Sequence, residues 1–144
     1  TVSYRTPVEV MAEAEPVIRA VLPDANVPTS VRSSGIPVAR VPASEVRRVV
    51  EAWAAEHPEG TACVVGDPTF PGTERVRSLA PEEVKGLEFD LVVLVEPADP
   101  ADDDLADARA RAVDRYVTMT RATERLVVAT RPDESGRRAR SVPA

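Results

Sequence analysis

The chain has 144 residues, of which 43% are hydrophobic and 29% are charged, the composition of an ordinary soluble protein. Its formal net charge is −6, which argues against a free-standing nucleic-acid-binding domain, because such domains gain affinity from cations that neutralise phosphates. No apolar run is long enough to span a bilayer, and the amino terminus lacks a secretory signal pattern. With its single cysteine, Cys63, the sequence predicts a cytoplasmic protein without a membrane partner.

Predicted helices and strands alternate along the chain. Thr6 and Pro7 open a first helix, with Thr6 as its N-cap and with a break or kink near Glu15 caused by Pro16. Further helices are predicted at 42–56 and 105–120, and strands at 36–41, 61–65, 76–79, 91–95 and 125–130. This alternation favours an α/β fold with a mostly parallel central sheet. We expect one domain over 1–131 and a disordered polar tail over 132–144.

A polar turn with the sequence VKGLEFD, at 84–90, runs directly into the apolar strand predicted at 91–95. A Val-rich run of this kind is typical of a strand that is buried on both faces. The turn is therefore a place where polar groups can meet a ligand. Lys85 is the only lysine beside 17 arginines, which indicates either a need for an ammonium group in this turn or chance.

Three segments resemble motifs IV, V and VI of superfamily 1 helicases of the UvrD/Rep type. In the family's order they are Ser3–Pro7 (SYRTP), Lys85–Asp90 (KGLEFD) and Tyr116–Arg125 (YVTMTRATER). The finer similarity is to the HelD-like branch. The resemblance implies the second RecA-like domain of such a motor, with a RecA-like three-layer fold. Because the chain begins directly at a motif, we expect it to be a fragment of a larger protein.

The resemblance also implies catalytic residues. In these helicases the arginines of motifs IV and VI reach across a cleft to the γ-phosphate of ATP that is bound by the first RecA-like domain. Arg5 and Arg121 occupy the matching positions. The plainer alternative for Arg121 is an ion pair with Glu124 or a hydrogen bond to helix-end carbonyls.

Nucleotide-binding residues follow in the same way. Tyr4 matches the tyrosine that stacks on adenine, and Glu88 matches the glutamate that bonds the ribose. Gly86 would permit close approach of the backbone, and Lys85 is a further nucleotide-binding candidate. The alternatives are core packing for Tyr4, an ordinary turn carboxylate for Glu88 and a solvated cation for Lys85.

The segment before motif V departs from the family's pattern. Ala80 and Glu82 occupy positions where the helicases carry Thr and His residues that touch DNA. Since a carboxylate repels a phosphate, this departure argues against direct strand contact here. This departure favours a HelD-like, ATP-driven remodeller of RNA polymerase as an alternative. A third possibility is a non-catalytic interaction module that retains the fold.

The chain contains neither the phosphate-binding loop Gly-x-x-x-x-Gly-Lys-Ser/Thr nor a Walker B acidic pair. We therefore expect that this fragment alone does not hydrolyse ATP and holds no metal. The resemblance implies that ATP and Mg²⁺ are held mainly by the first RecA-like domain. That domain is the expected partner, together with single-stranded DNA in the parent protein.

Overall fold

The computed structural model describes residues 2–3, 5–97 and 105–132. The predicted tail at 132–144 lies outside these residues, apart from Pro132. The described helices are α1 (Val8–Val21), α2 (Val46–Glu56) and α3 (Leu105–Met119), with short 3₁₀ turns at Ala43–Glu45 and Pro81–Glu83. The described strands are β1 (Val2–Ser3), β2 (Thr29–Ser30), β3 (Ala39–Pro42), β4 (Ala62–Val65), β5 (Val76–Leu79), β6 (Phe89–Glu96) and β7 (Ala122–Thr130).

Five of these strands form one sheet in the order β3-β7-β6-β4-β5, and every neighbouring pair is parallel. Strands β1 and β2 form a separate parallel pair. The predicted α/β fold is confirmed, and the main sheet is parallel throughout rather than mostly parallel. All five strands therefore start at one edge of the sheet and end at the other.

The central strand β6 is buried on both faces, as its apolar run predicts. Val92 and Leu94 contact the core cluster on one side of the sheet, together with Met11 of α1 and Met119 of α3. The alternate residues of β6 contact the cluster on the other side, to which α2 contributes Trp53. Helices α1 and α3 thus cover one face and α2 covers the other, which is the three-layer arrangement of a RecA-like fold.

Two expectations for α1, a break at Pro16 and an N-cap at Thr6, are wrong. The helix continues through Pro16 without a break, because Pro16 lies on the exposed side while Ala14 and Ile18 are held in the core. Thr6 is not the N-cap; Pro7 occupies that position and makes no side-chain capping bond. The Thr6 hydroxyl instead donates to the Thr120 carbonyl at 3.1 Å, so a tertiary contact replaces the local one.

Cys63 lies in the buried strand β4 as a free thiol. Burial raises its pKa to about 12, against a smaller opposing effect of Arg77. A thiol with this pKa stays protonated at neutral pH and acts as an apolar side chain, as expected of a structural cysteine. No helix in the described ranges combines the length and apolar character that a membrane crossing requires.

Candidate functional site

The turns that carry the predicted site residues lie side by side at the amino-terminal edge of the sheet. The turn before β6 ends at Phe89, whose amide N–H donates to the Arg121 carbonyl at 3.0 Å. In return, the Thr123 hydroxyl donates to the Phe89 carbonyl at 3.3 Å. Because β6 and β7 are parallel neighbours, their preceding turns must emerge together. The sheet therefore brings the motif V-like and motif VI-like segments into contact.

The motif IV-like segment joins them from the far end of the sequence. Thr6 bonds the carbonyl of Thr120, and the Arg5 Nε lies 3.4 Å from the Glu88 Oε2. Arg5, Glu88 and Arg121 together line a cavity of about 280 Å³. The other residues of its wall are Thr6, Met11, Pro28, Gly86, Tyr116, Val117 and Thr120. Three segments that are remote in sequence thus form one concave site.

Arg121 is a partly buried cation without an anionic partner among the described residues. Its Nε is buried and unbonded there, and its Nη2 lies 3.4 Å from the Thr120 hydroxyl oxygen. The alternative pairing with Glu124 does not occur, since Glu124 pairs with Arg32 at 3.3 Å. A guanidinium with unused donors in a cavity is suited to an incoming anion.

Arg5 and Glu88 form an exposed ion pair. Their side chains are 78% and 40% exposed, so the pair contributes about 1 kcal/mol or less to the stability of the fold. Such a weak pair can separate when a stronger ligand arrives. Both side chains are therefore available to groups that enter the cavity.

The turn at Gly86 needs a residue that tolerates a positive φ. Gly86 has φ +79°, and a Cβ placed there would have no described atom within 4 Å. The glycine thus satisfies the backbone and leaves open space beside the cavity. Lys85 is exposed and is not part of the cavity wall. Tyr4, the predicted adenine-stacking residue, lies outside the described residues.

Tyr116 is a wall residue to which the sequence interpretation assigned no role. Burial raises the pKa of its hydroxyl, Glu15 raises it further, and Arg121 lowers it. Thr120 directly follows α3 and its amide N–H donates to the Tyr116 carbonyl at 3.1 Å, so the two residues, four apart in the sequence, lie on one side of the helix end. Tyr116 contributes an aromatic surface to the cavity next to Arg121.

A wider groove of about 810 Å³ lies at the same edge of the sheet, on the α2 side, where Trp53 and His57 stack with ring centroids 4.8 Å apart. Arg125 lines it and has a buried Nε without a partner among the described residues. Four carboxylates also line this groove: Glu56, Glu59, Asp90 and Glu124. Their combined charge makes the groove unsuitable for a phosphate, so the smaller cavity is the better candidate for one.

Metal binding has no support in the described part of the chain. Within those residues, no group of three or more His, Cys, Asp or Glu side chains is arranged to hold an ion.

The comparisons with known proteins give a structural likeness. No protein-family model matches the chain, and no curated protein matches it. A solved structure described as the C-terminal domain of a possible DNA helicase from Lactobacillus plantarum WCFS1 superposes with a TM-score of 0.57. The likeness covers 91% of this chain and 89% of that one at 18% sequence identity. At this identity the likeness establishes a shared fold.

Proposed function

We propose that this chain is the second motor domain of an ATP-dependent DNA helicase or translocase. The observation that carries the proposal is Arg121, a partly buried guanidinium without an anionic partner among the described residues, in a cavity built by all three motif-like segments. The likeness to the C-terminal domain of a possible DNA helicase supports it. In this function the cavity completes an ATP site whose other half is the first RecA-like domain.

The chemistry follows from the charges. Phosphoryl transfer to water develops charge on the γ-phosphate oxygens, and an arginine supplied from a neighbouring domain is worth roughly 10³ to 10⁵ in rate. Arg121 would stabilise this negative charge with its positive guanidinium group, from its partly buried position. Arg5 would exchange its weak pair with Glu88 for a phosphate oxygen, which frees the Glu88 carboxylate to accept a hydrogen bond from the ribose.

The roles of the nucleotide-binding residues rest on the same resemblance. Gly86 would let the backbone lie close to the nucleotide, and Tyr4 would stack on the base. Lys85, at the rim of the turn, would attract the phosphates electrostatically. ATP and Mg²⁺ would be held mainly by the first domain, so hydrolysis would require closure of the cleft and would couple to domain motion.

The test is ATP turnover by the full-length protein that contains this chain. Arg121→Ala should lower kcat by two or more orders of magnitude with the fold intact. Arg125→Ala is the matched control, because Arg125 also has a buried, unbonded Nε but lines the acidic groove. If Arg121→Ala turns over ATP as fast as the wild type, the motif VI assignment is wrong and the other site roles fall with it.

A second candidate function is a HelD-like, ATP-driven remodeller of RNA polymerase. The observation that favours it is Glu82, which is exposed in the 3₁₀ turn that leads into the site and would repel a DNA strand there. The same turnover assay separates the two functions. Stimulation of the wild type by single-stranded DNA supports the helicase, and turnover without such stimulation supports the remodeller. Absence of any turnover supports a non-catalytic module.

A further inference from the structure

We propose that Arg32 is a positioning residue for the two arginines of the site. The inference rests on the proposed function, since it concerns how Arg5 and Arg121 are held for phosphoryl transfer. Arg32 lies in the connection between β2 and β3, outside all three motif-like segments. Its side chain joins two of them, and it is absent from the cavity wall.

The contacts of Arg32 reach both arginine-bearing segments. One guanidinium nitrogen, Nη2, donates to the Arg5 carbonyl at 2.7 Å and also to the carbonyl of Thr123. The other, Nη1, lies 3.3 Å from the Glu124 Oε1. The backbone takes part as well, because the Val8 amide N–H donates to the Arg32 carbonyl at 2.7 Å. Arg32 therefore ties the segment before α1 to the start of β7.

The loop that follows Arg32 is anchored in turn by Glu9 of α1. The Glu9 carboxylate accepts hydrogen bonds from the Ser33 hydroxyl, from the Ser34 amide at 3.0 Å and from the Gly35 amide at 3.1 Å. These bonds fix the loop against the first turn of the helix. Arg32 thus reaches its acceptors from a backbone that is held in place.

Two consequences for the site follow. Arg5 has a side chain that is 78% exposed, so its direction depends on a backbone that Arg32 holds. Arg32 also occupies Glu124, the carboxylate nearest in sequence to Arg121, and so leaves the Arg121 charge uncompensated for a ligand. Only a guanidinium offers donors in a planar fork that can serve two carbonyls and a carboxylate together.

The experiment measures kcat and KM for ATP in the full-length protein. Arg32→Ala should lower kcat by about 10- to 100-fold, since a displacement of about 1 Å in a reacting group has an effect of this size. KM should change by less than about 3-fold, because the arginines act chiefly in the transition state. Arg75→Ala is the matched control, because Arg75 also donates to three backbone carbonyls, those of His57, Gly60 and Ala54. It should leave kcat within about 3-fold of the wild type.

A second measurement separates positioning from general destabilisation. In an Arg121→Ala background, Arg32→Ala should have a smaller effect on kcat than in the wild type, since one of its two targets is gone. If Arg32→Ala does not fold, Arg32→Lys replaces it; lysine keeps the charge without the fork and should give a smaller loss of kcat at unchanged KM.

The inference is overturned if Arg32→Ala leaves kcat unchanged while Arg121→Ala lowers it. It is also overturned if the Arg32 and Arg75 variants lose kcat alike, or if the Arg32 effect persists in full without Arg121. If Arg121→Ala itself has no effect, the proposed function has failed, which is a different result.

Discussion

The charged groups at the two edges of the central sheet differ in how they are bonded. At the carboxyl-terminal edge, Glu96 accepts two hydrogen bonds from Arg115, at 2.7 and 3.2 Å. The Arg131 guanidinium donates to the Gly66 carbonyl, and the Arg131 backbone amide donates to the Glu96 carbonyl. At the amino-terminal edge, Arg121 has no carboxylate partner among the described residues, and Arg5 forms an exposed ion pair with Glu88. In the described part of the chain, these groups close the first edge with their own bonds, and Arg121 leaves the second edge open to a ligand.

This contrast matters because parallel α/β sheets commonly bind ligands beyond the carboxyl ends of their strands. In the part of this chain that the structure describes, Glu96 and Arg115 at that edge are bonded to each other. Within the same described ranges, Arg121 keeps an unbonded donor at the other edge, where the three motif-like segments meet. The unbonded donor of Arg121, together with the meeting of three motif-like segments, therefore marks the candidate site at the edge that the general rule for the fold class does not favour.

The largest expected difference in the free energy of unfolding is between alanine substitutions of one glycine at each edge, Gly66 and Gly86. Gly66 has φ +100°, and a Cβ there would collide with the Val95 carbonyl oxygen, which belongs to a central strand and cannot move away. Gly66→Ala should lower the free energy of unfolding by on the order of 3 kcal/mol, from backbone strain and collision together. Gly86→Ala meets open space and should cost only about 1 kcal/mol, from its positive φ alone.

Urea unfolding of the two variants measures this difference. Gly35→Ala is a control for the φ contribution, since Gly35 has φ +73° and open space around it. Equal losses at Gly66 and Gly86 would show that the carboxyl-terminal edge is no more closed than the other, and the comparison would fail.

A smaller effect is expected from the ion pairs of the two edges. The Glu96 side chain is 19% exposed and is held by two bonds from Arg115, whereas Arg5 and Glu88 are largely solvated. Double-mutant cycles on unfolding should give a coupling of about 1 kcal/mol for Arg115–Glu96 and less than about 0.5 kcal/mol for Arg5–Glu88. The second coupling should vanish in high salt. A stronger coupling for Arg5–Glu88 would mean that this pair is not free to exchange with a phosphate.

The smallest expected change in stability at neutral pH concerns Glu9, which anchors the loop that follows Arg32. Hydrogen bonds, first from the Ser33 hydroxyl and then from backbone amides including those of Ser34 and Gly35, lower the pKa of Glu9 from 4.5 to about 2. Because the folded state prefers the ionised form, this contribution to stability is present above pH 4.5 and is lost as the pH falls towards 2. Stability of the wild type and of Glu9→Gln, followed by thermal unfolding from pH 7 to pH 2, should converge over that window. A constant difference across it would contradict the assignment.

Local patterns in the sequence were good guides to the elements. The Val-rich run after the polar turn predicted the central strand β6, and the strand predicted at 76–79 has those bounds in the structure. They failed where a local and a tertiary partner competed for one group. Thr6 caps no helix because the carbonyl of Thr120 takes its hydroxyl, and Pro16 breaks no helix because the residues around it are held in the core.

By itself, then, the sequence determined the α/β class and the parallel sheet, because periodicity and turn chemistry are properties of neighbouring residues. The three motif-like segments were selected by their resemblance to helicase motifs. Only the tertiary structure decided which groups keep free donors. Glu124 pairs with Arg32 rather than Arg121, and Arg32 itself lies in a segment with no motif to mark it. Such pairings depend on distances between residues that are remote in the chain, and no local pattern encodes them.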